Sequence, residues 1–150
     1  MFAQLLLRLT GQMDQLRLVW QTGETLLESV PFQEDAEGTR YHVLLALQEM
    51  VTNVLRHAYE LDETLPIEVQ FTVTGDSFEV ELRDQGPEFD PLEHDTGGLG
   101  LVEQMPAEAG GYGIYIARMV MDEVVYARRD GWNTLRMKKL AGASSQSRIG

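Results

Sequence analysis

The sequence predicts an α+β fold, a two-layer α/β sandwich in which a mixed, mostly antiparallel sheet carries helices on one face. Two neighbouring segments, 67–73 and 78–83, alternate apolar with polar residues, as strands with one buried face do. The long segment 39–59 instead places apolar residues at helical spacing. Two strands joined by a short turn pair antiparallel, and an amphipathic helix covers the apolar face that they form.

The first third of the chain predicts a strand, a helix and the start of a second helix. Residues 2–10 form the strand, and the helix runs from Met13 to about Val30 with Gly23 weakening its middle. Pro31 stops that helix, and the acidic segment 33–39 is typical of a turn. The second helix, from about Thr39 to Tyr59, follows this turn.

The remaining elements are predicted from turn residues and alternation. The two central strands are joined by a turn at 74–77, and a connection rich in glycine, proline and acid spans 84–113. A helix over 114–121 and a hairpin of strands 124–129 and 134–138 around Asp130-Gly131 close the domain. We therefore expect one domain over residues 1–140 and a disordered tail over 141–150.

Composition excludes several kinds of site. The chain has 150 residues, of which 43% are hydrophobic, and this suits a single domain with an ordinary core. The absence of cysteine excludes disulfides and thiolate chemistry and favours a cytoplasmic location. A net charge of −12 argues against nonspecific binding to nucleic acid or anionic membranes. The apolar residues at the amino terminus are too few for a membrane span.

The predicted helix over 39–59 has a polar face whose side chains suit metal binding or catalysis. Glu49 and Asn53 lie four residues apart, so their side chains are stacked one helical turn apart, opposite an apolar face. A carboxylate and a carboxamide at this spacing offer oxygen ligands of the kind that Mg²⁺ prefers. The same pair is also common on solvated helix faces, so other motifs must support a functional interpretation.

Two glycine-containing motifs follow downstream. Asp84-Gln-Gly86 comes directly after a strand, so a carboxylate stands at the strand end and the glycine allows close backbone approach. The segment Gly110-Gly-Tyr-Gly113 leads into a helix, where unpaired amide groups can bind phosphate. Each motif alone is also compatible with ordinary turn or loop chemistry.

The three motifs, in this order, resemble those of the ATP-binding fold shared by gyrase, histidine kinases, MutL and the heat-shock chaperones. This fold is called the histidine-kinase-like or Bergerat type. The segments 47–59, 84–91 and 111–124 are more specifically similar to the anti-sigma-factor serine kinases of bacterial partner-switching systems. This likeness spans about residues 2–140.

The resemblance implies a role for each matching residue. Glu49 would polarise the serine hydroxyl of a protein substrate, and Asn53 would bind the Mg²⁺ that bridges the phosphates of ATP. Asp84 would accept a hydrogen bond from the adenine amino group, while Gly86 would let the base approach. Gly111 and Gly113 would bring backbone amides to the phosphates. Thr134 would support the adenine from the sheet.

The same resemblance implies partners and an activity. The protein would be a kinase that phosphorylates a small STAS-type anti-sigma-factor antagonist and binds a sigma factor, and it would be a homodimer. One alternative is a non-catalytic protein of this fold that sequesters a partner. It is motivated by residues 91–113, which include neither lysine nor arginine. A detached histidine-kinase catalytic domain is a third reading, disfavoured because no helices with a phospho-accepting histidine precede the first strand.

Several residues depart from the pattern or fit it without a chemical role. Pro87-Glu88 stands where the wider superfamily often has a second glycine, which stiffens the loop. A second glycine cluster at 97–100 competes with Gly110–Gly113, but only the latter leads directly into an apolar helix. Arg56 and His57, at the end of the long helix, are expected to be structural.

Overall fold

The elements follow one another as β-α-α-β-β-α-β-β in the computed structural model, which describes residues 2–55, 62, 64–88 and 111–142. Their bounds are β1 Ala3–Thr10, α1 Met13–Glu28, α2 Ala36–Asn53, β2 Pro66–Val73, β3 Ser77–Asp84, α3 Gly111–Val120, β4 Glu123–Arg129 and β5 Trp132–Leu140. The predicted order of strands and helices is confirmed.

The strands form one five-stranded sheet with the order β1-β2-β3-β5-β4. Every neighbouring pair in the described part of the chain is antiparallel. The register places Val69 opposite Leu82, and Leu82 opposite Leu135, so apolar residues of three strands share one face. The predicted antiparallel sheet is therefore confirmed, and β1 and β4 are its two edges.

Helices cover this apolar side of the sheet, which we call the inner face. The helix α1 packs against β1, β2 and α2, and α2 packs against α3. The largest fully buried side chains of this core include Phe71, Phe78, Leu27, Leu47, Ile67, Leu82 and Met137. Burial of each such side chain stabilises the fold by about 1.5–3 kcal/mol before the entropic cost of ordering is counted.

The opposite side of the sheet, the outer face, is polar. Arg83 donates to Glu68 over 3.0 Å and to Glu81 over 2.9 Å. These partly exposed ion pairs each contribute little stability, about 0–1 kcal/mol. None of the described helices is long and apolar enough to cross a membrane.

Two helices begin earlier than the sequence pattern predicts. The helix α2 starts at Ala36, because the Asp35 side chain accepts a hydrogen bond from the Gly38 amide over 3.2 Å and caps it. Part of the predicted acidic turn is thus the cap and first turn of α2. The helix α3 starts at Gly111, so the end of the predicted glycine loop lies inside its first turn. The predicted end of α2 at Tyr59 lies outside the described residues.

Gly23 lies inside α1, which runs unbroken from Met13 to Glu28. A β-carbon added at Gly23 would lie 3.2 Å from Leu44 Cδ1, 3.4 Å from Leu47 Cδ2 and 3.6 Å from Phe71 Cε1. The glycine therefore allows α1 to approach α2 and β2 closely. This packing compensates for the lower helix propensity of glycine, which costs about 1 kcal/mol relative to alanine.

We expect Gly23→Val to lower the free energy of unfolding by about 2 kcal/mol, because two methyl groups would extend beyond a β-carbon that already lies 3.2 Å from Leu44 Cδ1. Urea denaturation followed by circular dichroism measures this difference. Gly75→Val is the matched control, since an added β-carbon there meets no atom within 4 Å. Equal stability of the two variants would contradict close packing at Gly23.

Candidate functional site

A buried carboxylate lies at the end of β3, on the inner face of the sheet. Asp84 is 7% exposed and is paired in register with Asn133 of β5, which is 5% exposed. Burial of a carboxylate is costly unless hydrogen bonds compensate for the lost water. The contacts of Asp84 therefore decide what this end of the sheet can bind.

Both hydrogen bonds that Asp84 makes end on the same oxygen. Asp84 Oδ1 accepts from the Gly86 amide over 2.9 Å and from Asn133 Nδ2 over 2.9 Å. The first bond closes the turn Asp84-Gln-Gly86, which follows the strand as the sequence predicts. Among the described residues, Asp84 Oδ2 has no donor. This oxygen is therefore available to accept a hydrogen bond from a ligand.

Asn133 connects Asp84 to the hairpin of β4 and β5. Its Nδ2 also donates to the backbone oxygens of Gly86, over 3.0 Å, and Pro87, over 3.1 Å. Its Oδ1 accepts from Arg128 Nη1 over 2.8 Å and from the Tyr126 hydroxyl. Each end of the carboxamide thus has partners of the complementary kind.

Thr134 does not lie with Asp84. In the β3–β5 register Thr134 is opposite Arg83, so its side chain is directed to the outer face. Asn133, the preceding residue, is the one that shares the inner face with Asp84. The alternation in β5 contained this signal, because Leu135 and Met137 are buried and Asn133 shares their parity.

The second group of predicted residues lies on α2. Glu49 and Asn53 are both half-buried, and they flank the buried residues Met50 and Val51. Within the described part of the chain neither side chain has a hydrogen bond or an ion pair that would occupy it. Their oxygen atoms are therefore available for a ligand, a cation or a reacting hydroxyl group.

Gly111 and Gly113 lie in the first turn of α3, which packs against α2. The amide groups in the first turn of a helix have no partner within that helix, and the helix dipole favours negative charge there. The first turn of α3 can therefore bind an anionic group through its backbone. Gly110, the glycine cluster 97–100, Arg56 and His57 lie outside the described residues, as does most of the predicted tail.

The side-chain oxygen of Asn53 is a ligand of the kind that Mg²⁺ prefers. In the described ranges no group of three or more histidine, aspartate or glutamate side chains could hold a metal ion by itself. Mg²⁺ in phosphoryl-transfer sites is bound through one or two protein oxygens together with phosphate oxygens and water. The carboxamide oxygen of Asn53 suits such a site, whereas a site built from protein ligands alone is not present in these ranges.

The antiparallel sheet with helices on one face, the helix with Glu49 and Asn53, and the strand-end Asp84-Gln-Gly86 define the class of histidine-kinase-like ATPase folds. The sequence profile described as "Histidine kinase-like ATPase domain" matches residues 9–139. The chain therefore belongs to the histidine kinase-like ATPase domain family.

Individual proteins show a more specific similarity. "Serine-protein kinase RsbW" of Bacillus licheniformis is 37% identical over 86 residues, which cover 53% of this chain and 52% of that protein. "Anti-sigma F factor" of Clostridium perfringens is 28% identical over 95 residues, which cover 63% of this chain and 67% of that protein. The chain thus spans about half the length of the first of these relatives. The predicted resemblance to anti-sigma-factor serine kinases is confirmed.

A solved structure confirms the fold. The structure of the RsbU and RsbW domains of a Mycobacterium tuberculosis protein matches with a TM-score of 0.62 and 16% sequence identity. The match covers 95% of this chain and 34% of that chain. At this identity, the likeness concerns the arrangement of strands and helices alone.

Proposed function

We propose that this protein is an ATP-dependent protein serine kinase of the anti-sigma-factor type. It binds Mg-ATP, phosphorylates a small STAS-type antagonist protein and binds a sigma factor in a partner-switching system. The observation that carries the proposal is the pair Glu49 and Asn53 on one face of α2, in the same domain as the free acceptor of Asp84. The similarity to a serine-protein kinase and to an anti-sigma factor supports it.

Asp84 and Gly86 would bind the adenine base. Asp84 Oδ2 accepts a hydrogen bond from the exocyclic amino group, because Oδ1 is already occupied by two donors. Gly86 adds no side chain to the turn, so the base can approach the backbone. We add Asn133 to the site as the β5 residue that supports Asp84, because its Nδ2 donates to the carboxylate, whereas Thr134, predicted to contact adenine, lies opposite Arg83 in the sheet.

Glu49 and Asn53 would act on the phosphate and the attacking hydroxyl group. The Glu49 carboxylate would accept the proton of the substrate serine as the serine oxygen attacks the γ-phosphorus of ATP. The bond to the bridging oxygen would break, and ADP would leave. Asn53 would hold the metal through its side-chain oxygen, and Mg²⁺ would supply positive charge that neutralises the phosphates. The first turn of α3, with Gly111 and Gly113, contributes backbone amides to the phosphate groups.

Two measurements on the wild-type protein test this proposal. Calorimetric titration with ATP, with and without Mg²⁺, should show binding that the metal strengthens. Incubation with radiolabelled ATP and candidate STAS-type proteins should then give phosphoserine in stoichiometric amounts. Absence of ATP binding at millimolar concentration would overturn the kinase proposal.

A non-catalytic sequestering protein is the second candidate. The observation that favours it is the sequence of residues 91–113, which offers no lysine or arginine side chain to the phosphates. ATP binding without phosphate transfer to any partner, together with stable partner binding, would support this alternative. Stoichiometric phosphoserine formation would exclude it.

The proposal includes a homodimer formed through β1 and α1, a domain over residues 1–140 and a cytoplasmic location, where ATP and sigma factors are found. The edge strand β1, the residue before it and the adjoining helix α1 expose large apolar side chains, namely Phe2, Leu5, Leu6 and Leu18. Such apolar surface at a sheet edge favours association.

We expect Leu6→Glu to weaken the dimer by at least about 100-fold in Kd, because a carboxylate would be buried without a partner at the interface. Sedimentation velocity over a range of protein concentrations measures this change. Val125→Glu is the control, since Val125 has a similar exposure, 39% against 42% for Leu6, but lies on the opposite edge strand, β4. A monomeric wild-type protein would contradict the proposed dimer.

A further inference from the structure

We propose that Asn133, Tyr126 and Arg128 form a positioning network that orients Asp84 and makes the site selective for purines with a 6-amino group over purines with a 6-oxo group. None of the three corresponds to a residue that the family resemblance implies. The proposal rests on the proposed function, because it deepens the assignment of Asp84 as the residue that binds the base.

The orientation of the Asn133 carboxamide is determined by its surroundings. Nδ2 lies within 3.1 Å of three acceptors, which are Asp84 Oδ1 and the backbone oxygens of Gly86 and Pro87. Oδ1 lies instead beside two donors, Arg128 Nη1 and the Tyr126 hydroxyl. The reverse orientation would place an oxygen against three oxygens and a nitrogen against the Arg128 guanidinium, which can only donate. Arg128 and the acceptors around Nδ2 therefore determine which atom Asn133 presents to Asp84, and the Tyr126 hydroxyl donates a second hydrogen bond to Oδ1.

Asn133 in turn helps to hold the plane of the Asp84 carboxylate, and with it the direction in which the second oxygen faces a ligand. With the Gly86 amide and Asn133 Nδ2 both on Oδ1, rotation of the carboxylate would break two buried hydrogen bonds. The oxygen that remains, Oδ2, can only accept a hydrogen bond when the carboxylate is ionised. A 6-amino group donates to it, whereas a 6-oxo group places a second acceptor against it. Sites built on a buried hydrogen bond discriminate strongly against ligands that cannot form it.

Arg128 also ties the network to the turn that follows Asp84. Its Nη1 donates to the Gly86 backbone oxygen over 2.9 Å as well as to Asn133. A guanidinium donor strengthens such bonds relative to a neutral donor. The β4–β5 hairpin and the Asp84-Gln-Gly86 turn are thereby held in one arrangement, although Arg128 lies 42 residues from Gly86 in sequence.

The test compares the binding of ATP and inosine triphosphate, which has a 6-oxo group, to four variants by calorimetry. We expect Asn133→Leu to reduce the preference for ATP by about 10-fold or more, and Tyr126→Phe and Arg128→Met to reduce it by about 3-fold to 10-fold. Arg129→Met is the matched control, because the Arg129 side chain is 91% exposed and pairs with the neighbouring Asp130. Its preference should equal that of the wild type.

The outcomes separate this proposal from the proposed function. If Asn133→Leu weakens ATP and inosine triphosphate equally, or neither, Asn133 does not set the selectivity and the network proposal is overturned while the ATP site stands. If the wild-type protein binds no ATP, both proposals fail. Circular dichroism verifies folding of each variant, and if Asn133→Leu does not fold, Tyr126→Phe and Arg128→Met decide the question.

Discussion

Replacement of Glu49 by glutamine should abolish phosphate transfer to serine while leaving ATP binding intact. Glutamine has the same size as glutamate but cannot accept the proton of the attacking hydroxyl group. Loss of a positioned general base lowers a rate by about 10²-fold to 10⁴-fold. Because Glu49 is half-buried and has no ion pair within the described ranges, its neutralisation should not disturb the fold.

The rate of phosphoserine formation and the Kd for ATP measure the two parts of this prediction separately. Glu24→Gln is the matched control, because Glu24 is exposed on α1 and has no assigned role. Transfer by the Glu49→Gln protein at the wild-type rate would remove Glu49 from the mechanism. Loss of ATP binding would show that Glu49 acts on the bound nucleotide and not only on the hydroxyl group.

Asp84→Asn should weaken ATP binding by about 100-fold, or about 2.7 kcal/mol. The two donors that hold Oδ1 should hold the carboxamide oxygen of the variant in the same place. The carboxamide nitrogen would then replace Oδ2 and direct a donor toward the amino group of adenine. A buried hydrogen bond would thus become a contact between two donors, which is costlier than simple loss of the bond.

Calorimetric titration with ATP measures the Kd of this variant. Asp76→Asn is the control, since Asp76 lies in the exposed turn between β2 and β3. The melting temperature of the Asp84→Asn protein should stay close to that of the wild type, because both buried hydrogen bonds are retained. Unchanged affinity for ATP would show that the base binds elsewhere.

The sequence predicted β2, β3 and the faces of α2 correctly, because these features depend on patterns among residues close together in the chain. Alternation in 67–73 and 78–83 predicted β2 and β3, because side chains in a strand point to opposite faces in turn. The helical period placed Glu49 and Asn53 on one face of α2 in the same way. The start of α2 was less accurate, since it depends on the Asp35 side chain capping the helix.

Close packing was not visible in the sequence. Gly23 looked like a weak point of α1, because helix propensity is a property of the residue alone. In the structure it is a contact point, since Leu44 and Phe71 approach it from α2 and β2. Contacts with residues far away in sequence thus make glycine favourable for packing at this position, although glycine has a low helix propensity.

The sequence by itself determined which residue types are present, which elements they form and which face each side chain shares with its neighbours. Only the tertiary structure decided that Asn133, and not Thr134, meets Asp84, because strand pairing between β3 and β5 joins residues that are 49 apart. It also decided that Asp84 presents Oδ2, since the donors on Oδ1 come from a turn and a separate strand. Periodicity along a chain specifies faces, whereas register between strands depends on the packing of the whole sheet.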